Sequence, residues 1–269
     1  MNIQKQMGIE MKTTFKKLLV AGLLTATAAY SSMSQAIASV SVRNRVLVVV
    51  AELDSRGAPE LSALYSALEE LTQVTVQGVL GDKYDRIDIL TGGRATFPEF
   101  KRVVKEFSRD PNVLAIDVIM SVHGAPGKLA FQDLTWKTTD MEAAMLSVSS
   151  RQDTIDKMRM KKKLRMIYNT SCFGASHRQN FLNMGFKVAN GSIGVNANSE
   201  VEFVPALMAW RSGIGFKDSF NASNNDFALA LADGPLQIAG RAAGNSLAKV
   251  NSRKLFSGAV TMKINSDAR

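Results

Sequence analysis

The sequence predicts an α/β protein, a three-layer αβα sandwich around a mostly parallel sheet. Two observations carry this. Apolar runs rich in β-branched residues alternate with amphipathic stretches, in the repeated order strand, helix, strand, helix. The first run, Val46–Ala51, is continuously apolar, which suits a strand buried on both faces of its sheet.

The elements follow in order. After the Val46–Ala51 strand come turn signals at Gly57 and Pro59, then Leu61, Leu64, Leu68 and Leu71 at helical spacing. "YDRIDIL" reads as a second strand. "TFPEFKRVVKEF" opens with Thr96 and Glu99 in capping-box positions and Pro98 inside the first turn. Phe97, Phe100, Val103, Val104 and Phe107 share one face of that helix. Val113–Val122 is a third strand that runs directly into His123-Gly124. A loop and helix are expected between Gly127 and about Leu146, and another helix from about Gln152 to Lys162.

The fourth strand, Leu164–Asn169, runs into Cys172. "GASHRQNFLNMG" should be the next helix, with Gly185 at its C-cap, and "FKVANGSIGVN" a fifth strand. Beyond Asn196 a short helix is expected after Pro205, then helical stretches in "NASNNDFALALADG" and "QIAGRAAGNSLAKVN". "GAVTMKI" is the expected last strand. Residues 39–215 are expected to form the α/β domain, with residues 216–269 a mostly helical segment packed on it.

The first 38 residues read as a removable export signal. Lys12, Lys16 and Lys17 precede a short apolar run, Leu18–Ala29, and Ala36-Ile37-Ala38 gives a small-x-small cleavage site before Ser39. Met11 is the expected true start. The apolar run is too short to span a bilayer, so no transmembrane segment is expected in the mature chain, which would be periplasmic or secreted. No cysteine lies near the cleavage site, which argues against a lipoprotein.

Composition is that of an ordinary globular protein, with 46% hydrophobic and 21% charged residues. The formal net charge is +9; the first 38 residues hold four lysines and one glutamate, which leaves +6. The basic stretch "KMRMKKKLR" at Lys157–Arg165 lacks the aromatic interleaving of a nucleic-acid groove. It fits a helix end instead, so no nucleic-acid partner is expected.

The chemistry concentrates at two strand ends. Open α/β sheets gather functional groups outside the carboxyl ends of their strands. His123 and Cys172, the only cysteine, each lie just past such an end, 49 residues apart. A thiol and an imidazole in one cleft suit nucleophilic catalysis, the thiolate attacking while the imidazole moves the proton. A helix beginning just after Cys172 would lower the thiol pKa, and the amides of Gly124 and Cys172 would hold a developing oxyanion. His177 is expected to face outward from its helix. No metal or cofactor is expected, because Cys172, His177 and His123 lack zinc-ligand spacing.

A strand ending in "SVHG" and, about fifty residues on, a strand ending in "NTSC" followed by "FG" resemble the clan CD cysteine peptidases. That clan includes caspases, legumains, clostripain-like enzymes and gingipains. The resemblance spans about Val46 to Trp210. It implies a caspase-haemoglobinase fold, His123 as catalytic acid or base, Cys172 as nucleophile, Gly124 in the oxyanion hole, and a protein or peptide substrate. The caspase pentapeptide is absent, replaced by Thr170-Ser171-Cys172-Phe173-Gly174. An alternative is a catalytically silent relative that binds a peptide or protein partner in the same cleft. An α/β-hydrolase lacks support because no G-x-S-x-G elbow occurs.

The segment after the fifth strand holds Glu200 and Glu202, and Asp218 lies further on. An acidic pocket built from them would select arginine or lysine before the scissile bond. The same preference would make "KMRMKKKLR" a self-cleavage site if it were exposed.

Overall fold

The computed structural model describes residues 42–57, 59–196, 199–221, 224 and 226–266. The expected export signal lies outside the described residues.

Strand β1 (Arg45–Glu52) is an interior strand of the sheet, in keeping with the burial of seven of its eight residues, Val46 to Glu52. It pairs in parallel with β2 (Arg86–Thr91) on one side and β3 (Ala115–Ala125) on the other. β6 (Leu164–Asn169) pairs in parallel with β3, and β7 (Val188–Ser192) with β6. The antiparallel β8 (Lys254–Gly258) closes the edge, giving the order β2-β1-β3-β6-β7-β8. Two three-residue strands, β4 (Lys128–Ala130) and β5 (Thr135–Lys137), form a hairpin on the end of β3.

One helical layer holds α2 (Phe97–Arg109), α3 (Thr138–Leu146), α4 (Arg151–Lys163) and α5 (Arg178–Met184). The other holds α1 (Ser62–Leu80), α6 (Ser199–Arg211) and α7 (Phe216–Phe220). Alternate residues of β1 divide between them: Val46, Val48 and Val50 face the first layer, Leu47 and Val49 the second. The sheet is thus a mostly parallel one between two helical layers. A last helix, α8 (Asp226–Ala243), packs on the turn at Ser246–Lys249.

Local chemistry explains the boundaries. Thr96 caps α2, its hydroxyl accepting the Glu99 amide at 3.2 Å. Ser150 does the same for α4 through the Asp153 amide at 3.1 Å. Three differences from the sequence reading stand out. The stretch from Gly127 opens with the β4–β5 hairpin before α3 begins. α6 begins at Ser199, six residues before Pro205 instead of after it. The last strand is Lys254–Gly258 rather than "GAVTMKI". Gly258, at φ +89, ends it, and a Cβ there would sit 2.0 Å from the Lys187 carbonyl oxygen.

Candidate functional site

The order of strands places a topological switch point between β1 and β3, where successive connections leave in opposite directions. Such crevices are where open α/β sheets bind ligands. His123 lies in it, half-buried, three residues past Met120, the last β3 residue in register with β6. Cys172 lies three residues past Asn169, the partner of Met120. Parallel pairing therefore brings both to one edge of the sheet.

His123 also lies toward the α1 side of the sheet. The His123 ring packs edge-on against Tyr65 of α1, centroids 4.8 Å apart. Its Nε2 is 2.8 Å from the Leu53 carbonyl oxygen. A carbonyl only accepts, so Nε2 carries the hydrogen and Nδ1 keeps its lone pair. The turn that offers this carbonyl is itself anchored, since Glu69 Oε1 accepts the amides of Leu53 at 2.6 Å and Asp54 at 2.8 Å. Burial pushes the His123 pKa below the usual imidazole value. The Leu53 contact and the charges of Glu52 and Glu69 oppose that shift without cancelling it.

The Cys172 Sγ accepts the Asn196 amide at 3.4 Å, a contact that favours the thiolate. Asn196 is held in turn, its Nδ2 donating to the Thr170 carbonyl at 2.8 Å. The next residue, Phe173, takes a left-handed conformation (φ 55, ψ 22) that costs a non-glycine residue on the order of 1–3 kcal/mol. Its amide bond to Gly194 O at 2.7 Å helps hold that turn. No helix starts just after Cys172: a single 3-10 turn covers Gly174–Ser176 and α5 begins at Arg178. The expected helix-dipole assistance to the thiol is therefore replaced by the Asn196 amide.

Gly124 lies against the turn that carries Cys172. A Cβ at this position would meet the Cys172 carbonyl oxygen at 2.3 Å and the Ser171 Cβ at 2.9 Å, so only glycine lets the two backbones meet.

The remaining residues fall elsewhere. His177 does not face outward; it is fully buried beneath the turn. Its pKa is lowered by burial, with its Ala125 contact opposing. Glu202 is also buried, and its carboxylate forms an ion pair with buried Lys254 and accepts the Tyr168 hydroxyl at 3.0 Å. Its charge is neutralised in the core instead of being presented to a ligand. Asp218 is exposed on α7, and the side chain of Glu200 lies outside the described residues. "KMRMKKKLR" runs from α4 into β6 with Met160, Leu164 and Arg165 buried and Met158, Arg159 and Lys162 exposed, so it is folded into a helix and a strand.

A cleft beside His123 is lined by Leu53, Leu68, Leu71, Thr72, Ser121, Thr170 and Phe203. Ser121 is two residues before His123 and Thr170 two before Cys172. None of these lining residues is charged. The Leu53 carbonyl and the Asn196 amide cannot be read from residue types, because backbone groups are common to every residue. Among the described residues no group of three or more His, Cys, Asp or Glu side chains suits a metal ion. No described helix is long and apolar enough to cross a membrane.

An imidazole and a thiol at neighbouring strand ends of a three-layer α/β fold define an arrangement suited to nucleophilic chemistry. No protein-family model matches the sequence, and no curated protein matches it. Among solved structures the chain is similar to caspase-1 from Spodoptera frugiperda. The two share 10% identity, with 82% of this chain and 88% of that chain covered and a TM-score of 0.46.

Proposed function

We propose that the protein is an exported cysteine endopeptidase with Cys172 as nucleophile and His123 as its proton-transfer partner. The observation that carries this is the placement of both groups at one sheet edge, with His123 Nε2 committed to Leu53 O. The free lone pair is then on Nδ1, which is the nitrogen able to serve the cleft. The "SVHG" and "NTSC" motifs support the same reading through their resemblance to clan CD peptidases.

In the proposed reaction Nδ1 takes the thiol proton and the thiolate attacks the peptide carbonyl carbon. The amides of Gly124 and Cys172 hold the resulting oxyanion. Collapse expels the amine, which takes the proton back from Nδ1, and leaves a thioester. Water, deprotonated by Nδ1, hydrolyses the thioester and regenerates the thiol. The lowered pKa of His123 keeps the imidazole neutral, and so able to accept a proton, at and below neutral pH.

The cleft suggests an uncharged residue before the scissile bond rather than a basic one. Burying an unpaired guanidinium or carboxylate among Leu68, Leu71, Ser121 and Thr170 would cost more than the roughly 2–7 kcal/mol of an unpaired neutral polar group. A fluorogenic peptide library varied at that position tests this, with preference for Arg or Lys the outcome that sinks it.

Cys172→Ala should abolish peptide hydrolysis and leave the near-UV circular dichroism unchanged. Iodoacetamide should alkylate Cys172 much faster in the parent than in His123→Ala. An alanine variant that still hydrolyses peptides would refute the assignment. Residues 1–38 support export, and N-terminal sequencing of secreted protein should begin at Ser39.

A further inference from the structure

The second histidine holds a position that the dyad itself does not explain. The β3–β6 ladder ends at Met120 and Asn169, followed by a last bond from the Thr170 amide to Met120 O at 3.0 Å. Beyond it β3 turns away to pair with β4, carrying His123, Gly124 and Ala125. What joins these residues to the nucleophile turn is largely side chains. His177 Nε2 lies 2.9 Å from Ala125 O, and Ser176 Oγ accepts the Gly127 amide at 2.9 Å.

The protonation state of His177 follows from a chain of fixed donors. The Ser171 amide can only donate, and it bonds Asn169 Oδ1 at 3.1 Å; the Ser171 hydroxyl donates to the same oxygen at 2.7 Å. That orients the Asn169 amide so that Nδ2 faces His177 Nδ1 at 3.3 Å. Nδ2 donates, so Nδ1 must accept, and the ring hydrogen is left on Nε2, aimed at Ala125 O. The ring also lies 3.4 Å from Ser171 Oγ. Every polar atom of the ring is thus used inside the protein.

We propose that His177 is a positioning residue: its neutral Nε2–H form ties Ala125 to Asn169 and so fixes His123 and Gly124 against Cys172. This rests on the cysteine-peptidase reading. Ala125 is two residues from His123 and adjacent to Gly124, whereas Asn169 lies three residues before Cys172 and Ser171 one. The ring therefore spans the place where backbone pairing has ended and the reacting groups begin. A displacement of about 1 Å at such a place costs on the order of 10²-fold in rate.

The test compares His177→Leu, which fills the site without hydrogen bonds, with His177→Gln, whose amide carries both a donor and an acceptor. On peptide substrate, His177→Leu should lose about 10²-fold in kcat with KM changed less than about threefold. His177→Gln should recover most of that loss. A folded His177→Leu variant with kcat within threefold of the parent overturns the proposal, as does a Gln variant as impaired as the Leu variant. A second test leaves His177 itself unaltered. The chain has two histidines, so the ¹⁵N ring signals of His123→Ala report His177 alone. They should show the neutral Nε2–H tautomer at pH 7; an Nδ1–H tautomer or an imidazolium would overturn the proposal. A Cys172→Ala variant that retains hydrolysis removes the peptidase reading itself. Loss of activity in Cys172→Ala but not in a folded His177→Leu removes the positioning role alone.

Discussion

The two faces of the sheet are built from different materials. Toward α2–α5 the interior is hydrocarbon and phenyl rings, with Phe97, Phe100, Phe131 and Phe181 packed on Val46, Val48 and Val118. Most ion pairs on that side lie at the perimeter, such as Arg102 with Glu99 and Lys105 with Asp153. Toward α1, α6 and α7 the interior holds charge. Asp117 of β3 pairs with Arg165 of β6, both fully buried, and also accepts the Tyr84 hydroxyl at 2.7 Å. Lys254 and Glu202 form a second buried pair. His123 belongs to this polar side. Non-directional packing stabilises a face without dictating angles, whereas buried ion pairs work only in one geometry. The polar face is where direction matters.

That contrast can be broken by experiment. The largest effect should come from His123→Ala, which is expected to lower kcat by about 10²–10⁴-fold at unchanged thermal stability. A loss under tenfold would mean that the imidazole is not the proton carrier. Gly124→Ala should follow, since its Cβ would meet the Cys172 carbonyl at 2.3 Å; about 10²-fold in kcat is expected. Phe100→Ala on the apolar face should cost about 3–5 kcal/mol in urea unfolding. The rate per folded molecule should remain that of the parent, and a comparable drop in kcat would show the two faces to be coupled. Asp117→Asn, leaving Arg165 without its charge partner, should cost a similar ~3–5 kcal/mol. The smallest effect concerns pH. Both imidazoles have folded pKa values below the usual 6.5. The unfolded chain therefore takes up protons first, and stability should fall as pH drops below about 6.5. Urea midpoints between pH 7.5 and 5.5 should slope less steeply in a variant lacking both histidines.

Legibility in the sequence followed the range of the interactions. The strands announced themselves because burial on both faces demands unbroken apolar runs, as at Val46–Ala51. α2 was readable from the Thr96–Glu99 cap and its phenylalanine stripe, which are local. The β4–β5 hairpin was not, since strands of three residues are too short to display a period. His177 was misplaced because helical spacing was assumed through Gly174–Ser176, where the chain makes a 3-10 turn. That shift rotates the ring inward. Glu202 reads in the sequence as part of an acidic pocket because its partner Lys254 lies 52 residues away, and no local pattern announces such a pairing. The proposed nucleophile and its histidine were visible as types at strand ends, but the Leu53 carbonyl and Asn196 amide that orient them were not.

The buried Arg165 has one more set of partners, the carbonyl oxygens of Ile264 at 2.9 Å and Ser266 at 2.6 Å. They lie 99 and 101 residues further along the chain. During synthesis, then, β1, β3 and β6 can be fully extruded from the ribosome while the guanidinium between them still lacks these two acceptors. The sheet gains its final clasp only once residue 266 has emerged, which ties completion of the interior to the end of this segment. A chain stopped a few residues short would leave donors stranded in the core, a defect of a kind that quality-control proteases and chaperones act upon.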